Sequence, residues 1–146
     1  MSQVRPGLLS ALLKANYLKG ALRWKIDLSD VAFEQEVAQS GMQGWLIDTT
    51  GAKSKSDVMS MIARQLDFPD FFNGNFDSLE ECLGNLNQAQ PAFIVWRGWE
   101  GFVRESKDDA RVIGDIFDTA STLWPGAVLF VGRTGDFPDI GELAQA

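Results

Sequence analysis

Five consecutive apolar residues, Ala92-Phe93-Ile94-Val95-Trp96, constrain this chain more than any other stretch. A run of strand length with no polar alternation needs burial on both faces, as for an inner strand of an α/β sheet covered by helices. Ala127-Val128-Leu129-Phe130-Val131 is a second run of the same kind. Between them, Val112, Ile113, Ile116, Phe117, Ala120 and Leu123 recur at helical spacing from Asp108 or Asp109 onward, and Trp124-Pro125-Gly126 ends that helix. Strand, helix and strand in this order imply a crossover connection and parallel pairing.

The upstream half repeats the alternation. Trp45-Leu46-Ile47 reads as a strand closed by Thr50-Gly51. Leu22, Trp24, Ile26 and Leu28 alternate with Arg23, Lys25 and Asp27, which predicts an edge strand with one wet face. Ser29 or Asp30 caps a short helix through Val31, Phe33 and Val37 to Ser40-Gly41. Ser56 is the expected N-cap of a helix carrying Val58, Met59, Ile62 and Leu66, stopped near Asp67 because Phe68 precedes Pro69. Residues 7–19 show a further helical period, ending at Gly20. Arg97–Phe102 reads as an aromatic connection, and the segment after Gly132 as a loosely held tail. The expected fold class is α/β: a small parallel sheet, three core strands plus an extra N-terminal edge strand, packed with helices. One domain would span 1–146, with a core at 44–132, a helix-strand-helix extension at 1–43 and a tail at 133–146.

Composition narrows the chemistry. The chain has no histidine, which removes Ser-His-Asp and Cys-His catalysis and histidine metal sites. A net charge of −7 argues against general nucleic-acid binding and anionic membrane surfaces, and favours a basic partner. The single cysteine, Cys82, has no internal disulfide partner, and no apolar run is long enough to span a membrane. A cytoplasmic protein is expected.

The stretch from Leu66 to Leu83 is the richest in functional signal. Leu79, Cys82, Leu83 and Leu86 form one apolar helical stripe, which reads Cys82 as a small core residue rather than a reactive thiol. Asp77, Glu80 and Glu81 form an acidic stripe on another side. No Lys or Arg occurs between Arg64 and Arg97, so these carboxylates are neutralised by distant parts of the fold or by another molecule. Gly74, within Asn73-Gly74-Asn75, permits a sharp turn into the helix, and either Asn75 or Asp77 can cap it. If Asp77 is the cap, Glu80 completes a capping box, and helix stabilisation accounts for part of the acidic pattern. Phe71, Phe72 and Phe76 either pack beneath the loop or stand exposed as partner anchors. Catalysis is disfavoured, because acids at i and i+4 point the same way and do not flank a substrate. A metal is disfavoured, because hard cations need several oxygen ligands and no second acidic motif converges. No cofactor is expected.

The segment Phe68-Pro69-Asp70-Phe71-Phe72-x-Gly74-Asn75-Phe76-Asp77-x-Leu79-x-Glu81-Cys82-Leu83 resembles the signature of the barstar family of intracellular ribonuclease inhibitors. That signature reads Pro-x-Tyr-Tyr/Phe-Gly-x-Asn-Leu/Trp-Asp-Ala-Leu-x-Asp-Cys-Leu. The resemblance runs from about Trp45 to Val131. It implies a three-stranded parallel sheet with helices, a protein partner that is a basic ribonuclease or other nuclease, and an acidic loop-helix plugging the enzyme's active site. By position, Asp77 resembles the central inhibitory aspartate and Glu81 the second one. Phe71 stands at a tyrosine that packs on the nuclease, and Asn75 and Phe76 correspond to interface loop residues. The resemblance thus implies a partner-binding surface of Phe71, Phe72, Asn73, Gly74, Asn75, Phe76, Asp77, Glu80 and Glu81. The departures are the extra methylene of Glu81, the missing hydroxyl of Phe71, the displaced glycine of Asn73-Gly74, Glu80 in place of an aromatic, and Thr119 in place of an interface glutamate. They leave a second reading open, a non-inhibitory interaction module on the same fold.

Overall fold

A computed structural model describes residues 20–69, 73–85, 92–121 and 126–141. The expected helix at 7–19, residues Asp70, Phe71, Phe72 and Leu86, and, at the expected end of the long helix, Leu123 with Trp124 and Pro125 of its stop lie outside the described residues. In chain order the elements are β1 (Gly20–Trp24), α1 (Asp30–Ser40), β2 (Gln43–Asp48), α2 (Lys55–Gln65), α3 (Phe76–Gly84), β3 (Ala92–Arg97), α4 (Glu100–Glu105), α5 (Lys107–Ser121) and β4 (Gly126–Val131). The four strands form one sheet in the order β1-β4-β3-β2, and every pairing is parallel. The fold is α/β.

The apolar runs take the inner places. On β3 and β4, Phe93, Val95, Leu129 and Val131 face one side, where they meet Trp24 of β1 and Phe33 of α1. Ile94, Trp96, Val128 and Phe130 face the other, where α2, α3 and α5 deliver Met59, Ile62, Leu79, Leu83, Ile113 and Phe117. Burial on both faces explains why neither strand alternates in sequence. Helix α1 is anchored by Phe33, and Val31 is 67% exposed. Ser29 caps α1 by accepting from the Ala32 N–H, and Gly41 ends it in the left-handed region (φ +66°).

The β1 edge is covered along its length and the β2 edge is capped at its last residue, which limits sites for unwanted strand pairing. On β1, the Ala21 N–H donates to Asp118 Oδ1 (2.8 Å) and the Arg23 N–H to the Gly141 carbonyl (2.8 Å). On β2, the Gln65 side chain acts as a surrogate strand residue. Its Oε1 accepts from the Asp48 N–H (2.7 Å) and its Nε2 donates to the Asp48 carbonyl (2.8 Å).

Four expectations need correction. β1 is an edge strand, but its polar face is not wet: Arg23 is 1% exposed. Its guanidinium donates to the carbonyls of Trp24, Phe130, Thr134 and Gly135 and sits 4.7 Å from the centre of the Trp99 ring. The segment after Gly132 is not loosely held over its described part. Phe137 is 2% exposed, because its ring fills the space between Trp96, Trp99 and Phe130, and Gly114 on α5 has no side chain to keep it out. The N-cap of α2 is Ser54, not Ser56; it accepts from the Asp57 N–H at 3.1 Å. Within the aromatic connection, Glu100–Glu105 forms the short α4, pinned by buried Phe102.

Candidate functional site

The acidic helix α3 is built from its turn outward. Gly74 has φ +81°, a conformation that side chains other than Gly and Asn resist. Asn73 Oδ1 accepts from both the Asn75 N–H (3.1 Å) and the Ser78 hydroxyl (2.8 Å). Asn75 Oδ1 accepts from the Ser78 N–H at 2.7 Å, so Asn75 is the N-cap. The capping-box alternative, with Asp77 as cap and Glu80 as its partner, is therefore overturned. Asp77 and Glu80 lie within the helix with carboxylates that the cap does not use. The turn and first helical residues form one hydrogen-bonded unit that fixes where the acids point.

The two faces of α3 separate cleanly. Ser78, Leu79, Cys82 and Leu83 are buried, against α5 among other neighbours, whereas Asp77, Glu80 and Glu81 are exposed. None of these three carboxylates forms an ion pair among the described residues. Distant parts of the described fold therefore do not neutralise them. Burial, and then the neighbouring charge of Glu81, push the Cys82 thiol up, so it is a packed core residue and not a thiolate.

Of the residues singled out in the sequence, Asn73, Gly74, Asn75, Phe76, Asp77, Glu80 and Glu81 come together at the α3 entry. Phe76 is half-buried against the core, and Lys55 Nζ stands 3.9 Å from its ring centre. Sequence spacing gave no sign of this cation. Asn73, Gly74 and the first residues of α2, Lys55 and Ser56 among them, line a shallow cleft beside the helix. Thr119 is exposed on α5, the helix that carries α3.

A second structural hub is Arg97. Its guanidinium pairs with Asp48 and Asp30 and donates to the Leu28 carbonyl (2.8 Å), tying the ends of β1, β2 and β3 together. Burial alone would raise the Asp48 carboxyl. Hydrogen bonds from Thr50 and Arg97 outweigh it and hold the group below its ordinary value. Among the described residues, no group of three or more Cys, Asp or Glu side chains is placed to hold a metal ion, and no helix is long and apolar enough to cross a membrane.

One family model, described as Barstar (barnase inhibitor), matches residues 42–135, which covers β2 through β4. The chain belongs to the barstar family. Strand β1 and the whole of α1 precede the matched segment, yet β1 pairs along its whole length with β4. Strand β1 thus adds a fourth strand to the three of the matched segment, at the edge opposite β2. No curated protein matches the chain.

Proposed function

We propose that this barstar-family protein binds a basic ribonuclease, or a related nuclease, and blocks its active site with the acidic face of α3, acting by binding rather than by catalysis. The observation that carries the reading is the set Asp77, Glu80 and Glu81: exposed, without an ion pair among the described residues, and held on a helix whose other face is locked into the core. Such a surface imitates the charge of a phosphate chain and can enter a cleft of Arg and Lys side chains. Charge-assisted hydrogen bonds supply affinity, and the net charge of −7 speeds encounter with a cationic enzyme. Phe71, Phe72, Asn73, Gly74, Asn75 and Phe76 complete the contact surface in this proposal, and a reducing, cytoplasmic setting suits it.

Partly turned-in Phe76, and Glu80 where the family has an aromatic, favour as a second reading a binding module that has left nuclease inhibition. The two are separated by affinity capture on the immobilised chain from the source lysate, with ribonuclease activity measured in the eluate. A basic nuclease that is inhibited by the wild-type chain, with Kd raised about 30-fold or more by Asp77→Ala, supports inhibition. A cognate nuclease bound as tightly by Asp77→Ala as by wild type overturns it.

A further inference from the structure

Strand β2 holds one edge of the sheet, and the parity of its hydrogen bonds shows which groups look outward. The Thr49 N–H, just past the strand, donates to the Arg97 carbonyl of β3 at 3.1 Å, so the odd-numbered residues of β2 turn their backbone groups inward. Asp48 turns its N–H and C=O the other way, to the Gln65 carboxamide. Gly44 and Leu46 share the parity of Asp48, and neither the N–H nor the C=O of either residue has a partner on the outer side among the described residues. An edge strand is ordinarily blunted by a charge, a proline or a bulge. Gln43-Gly44-Trp45-Leu46-Ile47 has no charged residue and no proline, and its register with β3 runs without a bulge.

This edge is complementary to itself. A second copy of β2, antiparallel and turned about a twofold axis at Trp45, sets Gly44 of each copy opposite Leu46 of the other. Every free N–H then meets a free C=O, so the partial charges match at each position. Neighbouring registers fail. A pairing centred on Gly44 calls on Met42, whose N–H already donates to Ser40 Oγ (2.9 Å), and one centred on Leu46 calls on Asp48, which Gln65 already occupies. The side chains agree with the central register. On one face, partly buried Leu46 comes to lie at the bare Gly44 of the other copy, over which Val37 of α1 leans, its Cγ2 2.7 Å from the position of a Cβ. On the other face, partly buried Trp45 meets its own copy at the close, non-hydrogen-bonded position, where cross-strand aromatic pairs are favourable.

We propose that a second copy of this chain docks on the β2 edge, so that Gly44, Trp45 and Leu46 of each copy join two four-stranded sheets into one continuous sheet. No residue of the acidic α3 face enters this contact, so the proposal does not rest on the nuclease reading. The contact itself is uncharged, while each copy carries a net charge of −7. Salt therefore strengthens the dimer by screening the repulsion between the copies.

The test is sedimentation equilibrium of the full chain from about 1 μM to about 1 mM, at low and at high sodium chloride, with amide hydrogen exchange read by NMR across the same range. The expected mass rises from 16.1 kDa toward twice that value, more readily at high salt. As it rises, the amides of Gly44 and Leu46 gain protection. Trp45→Lys and Trp45→Glu each set like charges opposite one another on the axis and weaken association about tenfold or more. An equimolar mixture of the two variants pairs unlike charges and recovers association, which chains that had merely lost their fold would not do. A mass of 16.1 kDa at every concentration overturns the proposal. So does a dimer in which Gly44 and Leu46 exchange as fast as in the monomer, one that weakens with salt, or one that both Trp45 variants leave unchanged.

Discussion

Replacing Phe137 by alanine removes a ring that touches three others. Its centroid lies 5.5 Å from Trp96, 5.4 Å from Trp99 and 4.3 Å from Phe130. At 2% exposure the side chain gains nearly its full transfer energy, about 1.5–3 kcal/mol. The cavity left among rings that cannot collapse, and the lost edge-to-face contacts, bring the expected cost to about 3–4 kcal/mol. With an m value of about 2 kcal/mol/M for a chain of this size, the urea midpoint falls by about 1.5–2 M. Equilibrium unfolding followed by tryptophan fluorescence measures the shift. A coupled variant sharpens the test. A Cβ on Gly114 would lie 2.5 Å from Phe137 Cε1, so Gly114→Ala destabilises the wild type. In the Phe137→Ala background the obstruction is gone, and the same change is neutral or stabilising, since Ala is the better helix former. A midpoint change below about 0.3 M for Phe137→Ala, the size expected of a surface residue, would refute the packing argument.

Other variants read other parts of the structure. Asn75→Ala removes the N-cap of α3 and should cost about 1 kcal/mol in urea unfolding; a neutral result would mean that Asn73 holds the turn alone. The pH dependence of stability reports on Asp48. Its folded pKa is depressed below the ordinary 3.8, so its contribution is fully present above that value and is lost as pH falls through the lower folded one. Wild type should therefore be more stable than Asp48→Asn at neutral pH, with the gap closing only below about pH 4. A gap that closed near pH 6 would point to a different group.

What the sequence made legible follows from how burial is written. Strands β3 and β4 are covered on both faces, so their apolar runs are continuous and unmistakable. Helix α5 is covered on one side, so Ile113, Ile116, Phe117 and Ala120 repeat at helical spacing. Helix α4 is too short for any period, and Phe102 alone marks it. Arg23 misled because alternation reads a charge as facing water, whereas the carbonyls that enclose it come largely from residues more than 100 positions away. Phe137 stands in a segment without regular structure, where one large ring does the anchoring and no pattern can form. At the candidate site the acidic stripe of α3 was plain from spacing. The choice of Asn75 over Asp77 as cap was not, since both residue types suit that position. Neither was Lys55 over Phe76, a contact across 21 positions with no local mark.

Strand β1 carries a consequence for synthesis of the chain. Among the described residues its only strand partner is β4, and its outer edge is closed by Asp118 and Gly141. Between Trp24 and Gly126 the ribosome adds about 100 residues, which takes roughly 5–20 s at ordinary elongation rates. Through that interval β1 has no partner strand, while β2 and β3 can already pair. The barstar-matched part is thus positioned to assemble first. The N-terminal strand then docks onto a preformed sheet, and the segment through Gly141 latches it from outside as it leaves the exit tunnel.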